Sequence, residues 1–432
     1  AFEPAVSPDG RRVAYAGAVP AGGYDLFELA LDPARWWPAR PYVDDRPPPI
    51  AIRDDEAAVS APRPYRALET LAPQAYTGTF TYGDVSSASL STSGVDAVGL
   101  HAWSLILSGD TGKRALNLGA AYTYTGWRPS VRVSGSRTLI DRGGLRLDGV
   151  AALYTEEDWS GALSVGVPFS ARPGQTWTLG ADFAVDWFRR IASPSVLVLP
   201  DQRVPSVPPS DYVQTGLGTR LGYSSVRGTT FGYGLADGWD VSIGVRLDHP
   251  ALGATYRNVT VSYAGDLFQR LWGDTPTLAI RVAGALRAGD LVRGGGFSLG
   301  GVPTQDVVRS VLDSSRTSVT GFLRGYPARV ISGNQYHLAN VEYRQELLAI
   351  ERGVATLPIY LRRLDVAVLG DAGVAFDSVL DAGRNTRLAI GGALRLDAFF
   401  GYFVPGTFEL GYAHGLSTGG LDETWFRLTG SL

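Results

Sequence analysis

From about Val85 to Leu432 apolar and polar residues alternate with a period of two, and that rhythm leaves few folds open. Trp177, Leu179, Ala181, Phe183, Val185 and Trp187 alternate with Thr178, Gly180, Asp182, Ala184 and Asp186. Trp239, Val241, Ile243, Val245 and Leu247 do the same against Asp240, Ser242, Gly244, Arg246 and Asp248. A third segment sets Leu388, Ile390, Gly392, Leu394 and Leu396 against Arg387, Gly391, Arg395 and Asp397. Successive side chains of a strand point to opposite faces, so each segment reads as a strand with one apolar and one polar face. The segments run to roughly ten residues or more, the span a tilted membrane-crossing strand needs and more than a soluble sandwich usually uses. Glycines and small polar residues share the second face with Asp and Arg, as a wet lumen allows. Trp177, Trp187 and Trp239 fall at segment ends, where an interfacial girdle belongs. The expected fold is all-β: a transmembrane antiparallel β-barrel.

Composition decides less. No apolar run reaches the roughly 18 residues of a membrane-spanning helix. A formal charge of −3 gives no basic footprint for nucleic acid. With no cysteine there is neither a disulfide framework nor a Cys-based zinc site. Lys113 is the single lysine, so nearly all positive charge is arginine.

Alternation from Val85 onward gives about sixteen strands, an even number as bacterial barrels have. Their approximate starts are 85, 100, 114, 128, 144, 158, 174, 210, 238, 256, 276, 336, 359, 386, 405 and 423. The widest gaps, 188–209 and 289–335, each follow an odd-numbered strand, so both long loops are expected on one side. We place the barrel at 75–432, after a Pro/Arg-rich linker over 33–74 whose triple proline and mixed charges make a semi-extended tether. Residues 1–32 differ again: Ser7-Pro-Asp-Gly10 is a tight-turn sequence, followed by short alternating stretches at Arg12–Ala16 and Tyr24–Leu31. This piece resembles one blade of a TolB-type β-propeller, which implies a fragment or remnant, since one blade cannot close a propeller. The chain starts at Ala1 without an initiator, which reads as processing or truncation.

The segment 289–335 carries Gly294-Gly-Gly-Phe-Ser-Leu-Gly-Gly301 and then Phe322-Leu-Arg-Gly-Tyr-Pro327. The glycine run is no phosphate loop, because no Gly-Lys-Ser/Thr follows. Together the two pieces resemble the signature loop of the BamA/TamA superfamily of outer-membrane assembly barrels. In that family the loop lies between the eleventh and twelfth strands and folds back into the lumen, and the strand count places this one there too. Alternation turns Asn340, Glu342, Arg344 and Glu346 inward on the next strand, and Asp365 and Asp371 inward on the one after. Asn340-Val-Glu342-Tyr-Arg344 and Asp371-Ala-Gly373 match the family's two acidic strand motifs. The resemblance therefore implies that Glu342 and Asp371 take the donors of Arg324. Gly325 lets the backbone approach the wall, and Phe322 and Tyr326 pack against lumen side chains. A buried arginine needs such partners. Two readings stay open: a plain anchor, or an anchor whose release matters to activity.

The chain departs from the family in a long insertion, Val302 to Gly321, and in ending on Leu432 where an aromatic is usual. Propeller-like sequence stands where POTRA modules normally precede the barrel. The small, polar strand Val85–Gly94 is expected to close against the terminal strand. That makes a weak seam of Ser87, Ser89 and Ser91 with Phe426, Leu428 and Gly430, able to open sideways and pair a client strand. The four histidines, His101, His249, His337 and His414, lack metal-ligand spacing, and no GxSxG elbow occurs. The expectation is a non-enzyme without cofactor or metal, in the bacterial outer membrane with its N-terminal segment periplasmic. By resemblance it inserts or exports proteins, with the lipid bilayer, client outer-membrane or secreted proteins and periplasmic accessory proteins as partners. The alternative is a passive outer-membrane channel or receptor for small solutes.

Overall fold

In the computed structural model sixteen antiparallel strands close into one barrel. The first eight are β1 (Ala75–Tyr82), β2 (Ser87–Val95), β3 (His101–Asp110), β4 (Leu116–Tyr124), β5 (Ser130–Leu147), β6 (Val150–Pro168), β7 (Thr176–Arg190) and β8 (Tyr212–Ser224). The rest are β9 (Leu235–Asp248), β10 (Asn258–Arg270), β11 (Thr277–Gly289), β12 (Gln335–Gly353), β13 (Ile359–Phe376), β14 (Arg387–Phe400), β15 (Val404–Gly415) and β16 (Asp422–Ser431). Each pairs with its sequence neighbour, and β16 pairs with β1 to close the ring. The structure describes residues 2–18, 24–32, 34, 64–82, 86–110, 116–147, 150–169, 174–190, 195–196, 211–228, 235–272, 275–290, 297–301, 323–327, 330–401 and 404–431. The insertion at 302–321 and Phe322 lie outside these.

The alternation sorts side chains as a barrel wall requires. On β7, Leu179 is 53% exposed on the outer face, whereas Asp182 and Asp186 are buried inside. On β13 and β14, Val368 and Ile390 stand outward, and Asp371 and Asp397 point into the lumen. The outer face thus presents a continuous apolar band with Trp177, Trp187, Trp239 and Trp272 exposed in it. Water solvates so large an apolar surface poorly; hydrocarbon solvates it well. No described helix is long and apolar enough to cross a membrane, and here strands make the wall.

Two strand placements differ from the sequence reading. The strand that closes the barrel is Ala75–Tyr82, and Ser87–Val95 is the second strand, one position in from the seam. The segments expected to start at 128 and 144 are one strand, β5, whose register against β6 shifts between Arg142 and Leu145. That bulge carries Gly143 and Gly144 and breaks the period of two, so one strand reads as two. The two errors offset, and the total stays at sixteen.

We call the rim from which β1 starts the near rim. Its turns are short, none longer than residues 225–234, whereas residues 191–211 and 290–334 both connect strands at the far rim. Residues 64–74, the end of the expected linker, are fixed on the near rim. Tyr65 donates to Asp96 at 2.5 Å, Trp103 Nε1 to the Leu71 carbonyl at 2.9 Å, and Gln74 Nε2 to the Val95 carbonyl at 2.6 Å. The N-terminal piece is a separate sheet of three strands, Phe2–Val6, Arg12–Ala18 and Tyr24–Ala30. A propeller blade has four strands, so this sheet does not support the TolB-like reading.

Candidate functional site

A sixteen-strand ring is wide enough to hold more than its own side chains. Here the β11–β12 connection enters it. Phe297–Leu299 and Ile331–Gly333 pair as a small two-stranded sheet. Phe297, Leu299, Leu323, Tyr326 and Ile331 form one buried apolar cluster with Tyr336 and Leu338 of β12. The result is an oily knot inside an otherwise polar lumen. Gly373 on β13 makes room for it: a Cβ there would stand 3.2 Å from both Leu299 and Leu323 side chains.

The charged clamp sits at the edge of this knot. Arg324, 8% exposed, donates from Nε to Asp371 Oδ2 at 2.7 Å and from Nη2 to Oδ1 at 2.6 Å. Its own backbone N–H adds a third bond to Oδ2 at 3.1 Å, and Asn340 Nδ2 donates to Oδ1 at 2.7 Å. Asn340 and Asp371 face each other across β12 and β13, so the wall presents one pre-aimed carboxylate. A planar fork on a carboxylate is the strong form of this interaction, and its burial makes each partner costly to lose.

Of the two carboxylates expected on Arg324, Asp371 takes the fork. Glu342 has its hydrogen bonds to Arg344, at 2.9 Å, and to Arg395 of β14. Arg395 also donates to Glu409 of β15 at 2.7 Å, and Glu409 accepts from Trp425 of β16 at 2.7 Å. Trp425 in turn lies beneath the Arg324 guanidinium, 6.0 Å from it. Glu342 is therefore the far member of a charge chain running across β12, β14, β15 and β16. The reason is reach: β12 faces Glu342 toward Leu369 on β13, one inward position away from Asp371. Arg324, Glu342, Arg344, Arg395 and Trp425 line one cavity of about 200 Å³.

Gly325 and Tyr326 extend the grip. Gly325 has φ of +73°, and a Cβ on it would lie 2.6 Å from the Gly415 nitrogen. Both facts demand glycine. Its N–H donates to Glu423 at 2.8 Å, and its carbonyl accepts from Leu421 N–H at 2.9 Å. Tyr326 donates to the Leu388 carbonyl at 2.6 Å and accepts from Ser417 N–H at 2.9 Å. Sequence reasoning did not single out Glu423, Trp425, Arg395 or Glu409. Their signal was present in the inward positions of the last three strands, but nothing in alternation says which inward residues meet a loop.

At the seam, Phe426, Leu428 and Gly430 pair with Tyr82, Phe80 and Gly78 of β1. Ser87, Ser89 and Ser91 pair instead with Thr81, Thr79 and Thr77 on the other side of β1, so they are not seam residues. The described seam has six residue pairs, whereas β12 and β13 share sixteen.

No family model and no curated protein matches this sequence. Solved structures do match its fold. BamA from Haemophilus ducreyi lacking POTRA domains 1-3 aligns with a TM-score of 0.54 at 15% identity, over 84% of this chain and 70% of that one. CdiB from Escherichia coli gives 0.54 at 14%, over 83% and 63%. CdiB from Acinetobacter baumannii gives 0.52 at 12%, over 83% and 59%. The chain thus spans less than two thirds of either CdiB. At these identities the likeness is one of fold: a sixteen-strand antiparallel barrel of the kind BamA and CdiB have.

Proposed function

We propose that this chain is the barrel of a protein-assembly or protein-export factor of the bacterial outer membrane. It inserts or translocates client proteins through the seam between β1 and β16, with its N-terminal segment in the periplasm, where accessory proteins or clients are recruited. The observation that carries this reading is the Arg324–Asp371 clamp, which seats the loop between the eleventh and twelfth strands inside a BamA-like barrel. A passive solute channel needs an open lumen, and a loop with its own apolar core in the lumen argues against that alternative. The short seam supports a lateral route, because few pairs need to part before an edge is offered to an extended client segment. Nucleotide, metal and catalytic chemistry have no part in the proposal.

The test is depletion of this protein from its own cell, followed by fractionation of the outer membrane. Other barrel or secreted proteins should fall in abundance. Normal assembly of all of them would remove the proposal. A disulfide between Phe80→Cys and Leu428→Cys tests the seam itself, and full activity with the bond closed would rule out lateral opening.

A further inference from the structure

Three consecutive loop residues bind three different parts of the wall. Arg324 holds Asp371 on β13; Gly325 holds Glu423 at the start of β16 and Leu421 just before it; Tyr326 holds Leu388 on β14 and Ser417 in the β15–β16 turn. On β16 the loop contacts Glu423 and, through the Arg324 guanidinium, Trp425. The next residue along, Phe426, opens the described seam register with Tyr82. Grip and seam thus occupy successive stretches of one strand.

We propose that Glu423 is a positioning residue that couples the lumen loop to the seam, so that seating the loop favours a closed seam and unseating it favours an open one. This rests on the lateral-seam reading above. The physical reason is the shortness of the lap. Six described pairs hold β16 to β1 against nine to β15, so the seam is the weaker side of the strand, and the loop's bonds to Leu421 and Glu423 add to the β15 ladder in setting where β16 starts. The Glu423 contact is charge-assisted and made to a backbone N–H whose position is fixed by the close approach of Gly325 to Gly415. Coupling of this kind is reciprocal: whatever factor loop seating contributes to seam closure, seam closure returns to loop seating.

Hydrogen exchange of the full chain in lipid vesicles, read by mass spectrometry, tests it. Glu423→Ala should raise exchange about tenfold in the loop at 323–327, and raise it similarly at the β1 and β16 segments Thr77–Tyr82 and Phe426–Ser431. β12 and β13 should stay protected. Glu423→Gln, which keeps an acceptor oxygen, should restore most of the protection in both places. Tyr326→Phe, which loosens the loop without touching β16, should mobilise the seam as well, and it carries the test if Glu423→Ala does not fold. Conversely, closing the Phe80→Cys/Leu428→Cys disulfide should slow loop exchange. A loop freed by Glu423→Ala above an unchanged seam overturns the coupling, as does a locked seam that leaves loop exchange where it was. Preserved client assembly with the disulfide closed would instead remove the lateral-route reading and leave the exchange result intact.

Discussion

Arg324 and Asp371 form a buried pair in which each residue satisfies the other, and breaking it leaves an uncompensated charge. Arg324→Ala or Asp371→Asn should each destabilise the folded barrel by roughly 3 kcal/mol, within the 3–5 kcal/mol seen when one member of a buried pair is removed. The double variant should cost clearly less than the sum, because the two losses are one interaction; equilibrium unfolding in detergent reads both. Arg324→Lys should recover only part, since a point charge cannot fill both oxygens of the carboxylate. At Gly325, alanine meets both a φ of +73° and the Gly415 nitrogen 2.6 Å away. The backbone strain alone is worth about 1–3 kcal/mol, so Gly325→Ala should unseat the loop more than its size suggests, visible as faster proteolysis there. Arg324 and Gly325 were legible in the sequence because an arginine beside a glycine among apolar residues asks for a partner; Asp371 was legible only through the resemblance of its strand motif, which named Glu342 equally. Glu423 was not, because a carboxylate on an inward face of a strand has many uses.

Among elements, the seam was the part least legible. Ala75–Tyr82 is only eight residues long and carries Gly78 at an outward position, so its alternation is weak beside the serine-rich strand that follows it. Cysteines decide the register directly. Phe80→Cys with Leu428→Cys should oxidise to a disulfide readily, and Leu90→Cys with Leu428→Cys should not, since Leu90 is a strand further from β16. Gel mobility under oxidising conditions distinguishes the two. The near-rim clasp has its own titration. Burial pushes the Asp96 carboxyl up, but the Tyr65 hydroxyl and the His101 backbone N–H outweigh it and hold the group below the usual carboxylate range. A depressed folded value means the stabilisation is present above the ordinary value of about 3.9 and is lost as pH falls through the folded one. Proteolysis of residues 64–74 should therefore be slow at pH 5 and above and accelerate only in stronger acid. Tyr65→Phe should shift that onset upward.

For the whole molecule, the loop seated in the lumen should set the electrical behaviour: planar bilayers should show small, unsteady currents, and Arg324→Ala should enlarge them. Large, steady, ion-selective pores from the unaltered chain would favour the channel alternative. The overall architecture was legible because a period of two over long segments admits little else, and the even count survived two misplaced strands. What alternation could not reveal is the oily knot of Phe297, Leu299, Leu323 and Ile331, whose residues come from a loop with no period of its own. That knot constrains the order of assembly. Its loop residues pack on Tyr336 and Leu338 of the adjoining β12, whereas the seam joins the first and last strands, and contacts local in sequence form before distant ones. The hairpin of β12 and β13 with its loop should thus gain protection in pulsed hydrogen exchange before β16 meets β1, making the last lap of the ring the final event of folding.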